Sequence, residues 1–118
     1  MAAILVIDDD PDVRELVMTT LKAAGHEVSM ATDGRQGFQQ FRSNRADLVI
    51  TDLFMPNQEG LETIKQLRTE SPDVRVIAMS GKPTGGTMLS VAQHLGAVAV
   101  LPKPFLPEEL LKVVEQAL

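Results

Sequence analysis

Five short runs rich in β-branched and aliphatic residues recur along the chain, each separated from the next by a stretch with helical spacing. This alternation leaves few folds open. The runs are AILVI, EVSMA, DLVITD, VRVIAMS and AVAVL. After the first, Asp10 reads as an N-cap and Pro11 as a first helical residue. Val13, Leu16, Val17 and Leu21 then recur on one face, and Gly25 ends the helix. The second helix is opened by TDG and carries Phe38 and Phe41 one turn apart. LETIKQLR is an amphipathic helix between MPNQEG and SPD, a helix around TMLSVAQHLG follows GKPTGG, and PEELLKVVEQAL closes the chain. The last begins with Pro107 and two glutamates, where the helix dipole favours negative charge. Strands and helices in strict alternation predict an α/β domain, a parallel sheet with helices on both faces. Leu48, Val49 and Ile50, apolar in succession, read as a strand covered on both sides. A chain of 118 residues makes one domain, residues 1–118, and buries a sufficient core without disulfides or structural metal.

Composition removes several classes of function. No apolar run approaches the roughly 20 residues needed to span a bilayer, and MAAILVIDDD lacks the basic start and long apolar stretch of a signal peptide. There is no cysteine, which excludes disulfides and thiolate metal sites. These features together point to the cytoplasm and away from membranes. A net charge of −5 with scattered basic residues argues against direct nucleic-acid binding.

In an open α/β sheet, ligands bind outside the carboxyl ends of the strands. This rule makes the acids of ILVIDDDPDV informative. Asp8 and Asp9 end the first run, Asp52 ends the third, Ser80 ends the fourth and Lys103 follows the fifth, so all five converge on one edge. Carboxylates packed at the end of a buried strand repel one another, which calls for a cation among them. Three carboxylates without cysteine or nearby histidine form a hard oxygen site suited to Mg²⁺ or Mn²⁺ and unsuited to zinc. Lys103 supplies a point charge for a phosphoryl oxygen and the Ser80 hydroxyl a further donor. A carboxylate at the centre of such a site is a nucleophile toward phosphorus, and Asp52, alone between the acidic pair and the lysine, is the candidate. Each feature has a plain alternative. A lone DD is commonly a solvated turn, Ser80-Gly81 is ordinary turn chemistry, Lys103 between prolines is an ordinary loop charge, and His26 and His94 belong to no motif. Their combination carries the reading.

With LVIDDDP, DLVITDLFMP, VIAMSG and LPKPF in this order, and QEGLE after the acceptor, the chain resembles the receiver domains of two-component response regulators over essentially its whole length. The resemblance implies a doubly wound, flavodoxin-like sheet of five parallel strands in the order 2-1-3-4-5. It implies phosphotransfer to Asp52 from a histidine kinase or phosphotransfer protein. Asp9 and Asp52 are then direct Mg²⁺ ligands, Asp8 acts partly through water, and the backbone carbonyl of Phe54 completes the set. Lys103 pairs with the phosphoryl group, Ser80 bonds it after modification, and the Lys103-Pro104 bond is expected to be cis.

Two departures matter. The aromatic residue that most members carry three positions before the lysine is Val100 here, so an aromatic switch coupled to Ser80 cannot run in its usual form. Signalling then depends on GKPTGG and the helix after it, whose start Gly85 and Gly86 weaken. The charged pattern with which winged-helix members dimerise is absent from GAVAVLPKPF and the last helix. Phe54 is a gate or a rim residue, and with Lys82 it flanks the site where water access sets the lifetime of the modified state. A phosphate-independent pseudo-receiver, acting as a protein-binding module, is the alternative; a phosphatase is disfavoured because Phe54 stands where that class has its general acid, and DDDPDV leaves no room for a glycine-rich nucleotide loop. No enzyme acting on a separate substrate is expected, only self-catalysed phosphoryl transfer and autodephosphorylation. The reader of the signal is a downstream partner or a fused output domain, according to whether the chain is a stand-alone regulator or part of a longer protein.

Overall fold

A computed structural model describes residues 2–53, 60–81 and 85–118. The chain runs β1 (Ala3–Ile7), α1 (Pro11–Ala23), β2 (Glu27–Ala31), α2 (Gly34–Ser43), β3 (Leu48–Asp52), α3 (Gly60–Glu70), β4 (Arg75–Ser80), α4 (Gly85–His94), β5 (Ala99–Pro102) and α5 (Pro107–Ala117). All strand pairs are parallel and the sheet order is β2-β1-β3-β4-β5, the doubly wound arrangement expected.

Local chemistry explains where the helices start. The Asp10 carboxylate accepts from the Asp12 N–H at 2.9 Å, with Pro11 supplying a fixed φ where no N–H is needed. Asp33 caps α2 in the same way through the Gln36 N–H at 2.8 Å. At α5 the Glu109 carboxylate reaches back to accept from the Leu106 N–H at 2.8 Å. Gly25 and Gly96 carry the positive φ values of 94° and 114° that turn the chain out of α1 and α4.

The period-2 geometry of the strands divides the core in two. Leu5, Ile7, Val49, Val76 and Ala78 face one side, where Phe41, Ile64, Leu67 and Ala92 of α2, α3 and α4 cover them. Ile4, Val6, Leu48, Ile50, Ile77 and Met79 face the other, under Val17 and Leu21 of α1 and Leu110 and Val114 of α5. Burial on both faces is what the unbroken apolar runs required.

Several expectations shift, and β4 begins at Arg75, one residue after the start of VRVIAMS. Leu16 is 39% exposed although it shares the apolar spacing of α1; with Val13 it lines an open cleft against Gly81, Lys103, Pro104 and Phe105. Asp47 lies outside β3, and its carboxylate accepts from the Ala3 N–H at 2.9 Å. The fifth strand is Ala99–Pro102 and not AVAVL, because the turn at Gly96 holds Ala97 on the end of α4, its N–H donating to Ala92 at 3.0 Å. Val100 is half-buried against the first core cluster, beside Ala78 of β4.

Candidate functional site

The parallel register brings the carboxyl ends of β1, β3, β4 and β5 to one edge, and the expected polar residues follow. Asp8 is the first residue beyond β1 and is fully buried; its N–H donates to the Ala31 carbonyl at the end of β2. Asp52 is the last residue of β3 and Ser80 the last of β4, both buried. Lys103 is the first residue after β5, and its N–H donates to the Ser80 carbonyl at 2.9 Å, which ties the lysine to the hydroxyl-bearing strand end. The Lys103-Pro104 bond is cis.

The side chains meet. Lys103 Nζ lies 2.8 Å from Asp8 Oδ2 and 3.3 Å from Asp52 Oδ2. Asp8 Oδ1 accepts from the Asp10 N–H at 2.9 Å. Asp8, Asp9 and Asp52 each offer a carboxylate oxygen, and these atoms lie within 4.8 Å of one another; Asp9 alone is exposed. Phe54 and Lys82 lie outside the described residues, so the expected backbone ligand and the expected lifetime residues are not placed.

Electrostatics shows what the group lacks. Burial pushes the Asp8 carboxyl above its ordinary value, against the opposing hydrogen bond and charge of Lys103. For Lys103 burial works to lower the value, and the bonds and charges of Asp8 and Asp52 outweigh it, so the ammonium is held above its ordinary value. Among the described residues, the Lys103 ammonium pairs with two of the three carboxylates, and even with the Arg14 guanidinium on the Asp8 carbonyl the group carries one more negative charge than positive. That excess of negative charge, on oxygen donors alone, fits a hard divalent cation such as Mg²⁺, with Asp8, Asp9 and Asp52 as the residues that would hold it.

Two glycines and one arginine complete the site and were not recognised from the sequence. A Cβ on Gly60 would collide with the carbonyl oxygen of Asp52 and stand 2.6 Å from Leu53 Cα, so only glycine lets α3 start this close to the end of β3. The signal was there in QEGLE. A Cβ on Gly81 would lie 3.1 Å from Lys103 Cβ, so that glycine makes room for the lysine stem. Arg14 Nη1 donates to the Asp8 carbonyl at 2.8 Å.

A family model for the response regulator receiver domain matches residues 4–115. The chain belongs to the response regulator receiver domain family. The receiver domain is 39% identical over 117 residues to the DNA-binding transcriptional regulator NtrC of Azospirillum brasilense, covering 99% of this chain and 24% of that protein. It is 38% identical over 108 residues to the response regulator MprA of Mycolicibacterium vanbaalenii, covering 92% of this chain and 46% of that protein. It therefore spans about a quarter and about half of the length of these two relatives. Among solved structures, chemotaxis protein CheY4 of Vibrio cholerae superimposes with a TM-score of 0.91 at 33% identity, covering 100% of this chain and 99% of that one. TrrA of Thermotoga maritima, solved in complex with Mg²⁺ and BeF, gives 0.87 at 33% identity with 100% of both chains covered. No helix among the described residues of the receiver domain is long and apolar enough to cross a membrane.

Proposed function

We propose that this receiver domain accepts a phosphoryl group on Asp52 from the phosphohistidine of a histidine kinase or phosphotransfer protein, in a reaction that requires Mg²⁺ or Mn²⁺. The observation that carries the reading is the placing of Lys103 Nζ against both Asp8 and Asp52, with three carboxylate oxygens gathered within 4.8 Å at the strand ends. A carboxylate oxygen of Asp52 attacks phosphorus, an O–P bond forms as the P–N bond of the donor breaks, and the imidazole leaves with the electron pair and takes a proton. Asp52 is buried and fixed at a strand end, so it meets the donor without reorganising. Lys103, released from its contact with Asp52 Oδ2, neutralises one phosphoryl oxygen, and Ser80 from the neighbouring strand donates to another. Asp8, Asp9 and Asp52 would hold a divalent cation, which would supply charge neutralisation for the carboxylate and the phosphoryl group.

The domain acts on itself and has no separate substrate; in autodephosphorylation water attacks phosphorus, the bond to Asp52 breaks and inorganic phosphate leaves, which restores the carboxylate. The product of phosphorylation is a changed conformational equilibrium of the domain. The phosphoryl group binds one conformation better, and that shift alters affinity for a downstream protein or a fused output domain. We place the domain in the cytoplasm. Its net charge of −5 disfavours direct nucleic-acid binding by the domain itself, and we assign any DNA binding to another part of the assembly.

The test is intact mass after incubation with acetyl phosphate, with and without Mg²⁺, on the native chain and on Asp52→Asn. With neither tryptophan nor tyrosine in the chain, mass is the direct readout. A gain of one phosphoryl group that needs Mg²⁺ and is absent from Asp52→Asn is the expected result. A folded, Mg²⁺-binding chain that gains nothing would make it a pseudo-receiver.

A further inference from the structure

Asp8 is held by four separate groups. Its N–H donates to Ala31 at 3.1 Å, its Oδ1 accepts from the Asp10 N–H at 2.9 Å, and its Oδ2 accepts from Lys103 Nζ at 2.8 Å. The fourth is Arg14, whose Nη1 donates to the Asp8 carbonyl oxygen at 2.8 Å. Strand, turn and lysine account for the first three. Arg14 is different: it reaches back from the start of α1 across the acid turn, and the phosphoryl chemistry above does not use it.

The carbonyl that Arg14 holds belongs to the peptide joining Asp8 to Asp9. Its direction sets where Asp9 projects. Among the described residues no hydrogen bond or ion pair restrains the Asp9 carboxylate itself, yet its oxygen lies within 4.8 Å of those of Asp8 and Asp52. The position of that exposed acid is therefore inherited from the backbone. A guanidinium is a rigid planar donor, and its charge strengthens the bond to a carbonyl. Arg14 is also fixed at its root, where its N–H donates to Asp10 at 3.0 Å in the first turn of α1.

We propose that Arg14 is a positioning residue for the acidic site: by holding the Asp8–Asp9 peptide it aims the Asp9 carboxylate at Asp8 and Asp52, and so raises the affinity for a divalent cation. This rests on the metal-dependent reading given under Proposed function. The sign of the effect separates it from simple electrostatics. A positive charge beside a cation site repels the cation, so neutralising an arginine that acted only through its charge would tighten Mg²⁺ binding. Neutralising one that aims a ligand weakens it.

The test is titration calorimetry of the chain with MgCl₂ for the native sequence, Arg14→Met and Arg14→Lys. Thermal unfolding of the metal-free proteins sets a temperature at which all three are folded. Arg14→Met keeps the aliphatic stem and loses donor and charge. It is expected to bind Mg²⁺ about tenfold more weakly, the low end of what loss of an outer hydrogen bond costs a metal site. Arg14→Lys keeps a charged donor without the planar fork and is expected to fall between the two. Equal or tighter binding by Arg14→Met, with the native chain binding Mg²⁺, removes the role of Arg14 and leaves the proposed function standing. A native chain that binds no Mg²⁺ overturns the metal-dependent reading and this inference with it.

Discussion

Gly60→Ala puts one methyl group against the strand that carries Asp52, and its effect can be worked out from three contacts. The added Cβ would collide with the Asp52 carbonyl oxygen and stand 2.6 Å from Leu53 Cα and 3.0 Å from Asp52 C. Every one of these atoms is backbone, so no side chain can swing aside. Ordinary carbon–carbon contact needs about 3.5–4 Å, so α3 and the end of β3 must separate by roughly 1 Å. Replacing glycine by alanine in a helix gains up to about 1 kcal/mol from propensity, whereas overpacking of a buried site costs about 1–3 kcal/mol. The steric cost wins, because Gly60 is buried at the first helical position, where propensity gains are small. With an unfolding entropy of about 2.1 cal/mol/K per residue, a chain of 118 residues loses about 4 °C of Tm per kcal/mol. The expected fall is therefore about 4–12 °C. A displacement of about 1 Å at a reacting group is worth about 100-fold in rate, so uptake of phosphate from acetyl phosphate should slow by that order when followed by intact mass at a temperature where the variant is folded. Unchanged Tm together with an unchanged rate would refute the claim that only glycine lets α3 start this close to the end of β3.

Lys103→Met should reduce phosphoryl uptake by about 100-fold while tightening Mg²⁺ binding, because one ammonium leaves a site of three carboxylates; quench-flow or timed mass spectrometry and calorimetry read the two effects separately. Asp8 has its folded-state value raised above the ordinary 3.8 by burial, so its stabilising contribution is complete below the unfolded value and is lost as pH rises through the folded one. In EDTA, the native chain should therefore lose Tm relative to Asp8→Asn as pH rises from about 3.8 upward, and saturating Mg²⁺ should abolish that trend; a difference that grows in favour of the native chain would contradict it. Phe41→Ala empties a fully buried site between α2 and the sheet and should cost about 3–5 kcal/mol by chemical denaturation. Glu70→Gln, which breaks only the exposed pairs with Arg42 and Arg45, should change stability by about 1 kcal/mol or less.

The first two strands have the ends their sequences suggest because the residues that bound them are engaged elsewhere. Asp8 leaves β1 to meet Lys103, and the Asp33 cap draws the chain from β2 into α2. The placing of Asp8, Asp52, Ser80 and Lys103 was legible for a similar reason, since a parallel sheet sends every strand end to the same edge. What escaped the sequence depends on distances between elements. Leu16 has the spacing of a core residue, but the helix rotation that buries Val17 and Leu21 leaves it facing the Phe105 cleft. Neither Gly60 nor Arg14 stands out in the sequence, because the first matters through the approach of α3 to β3 and the second through its guanidinium on the Asp8 carbonyl. Val100 is visible in both, as the absent aromatic and as a half-buried side chain on the first core cluster.

The lysine and the buried aspartate that it clasps are 95 residues apart in the chain. Asp8 and Asp52 precede Lys103 in the chain, so a nascent fragment that lacks β5 has the acids without their counter-charge. In such a fragment the β4 edge is still open, and the carboxylates at the ends of β1 and β3 repel one another. The ion pair thus forms only once β5 has joined the sheet, and a phosphodonor that recognised the assembled site would be blind to copies in which it has not.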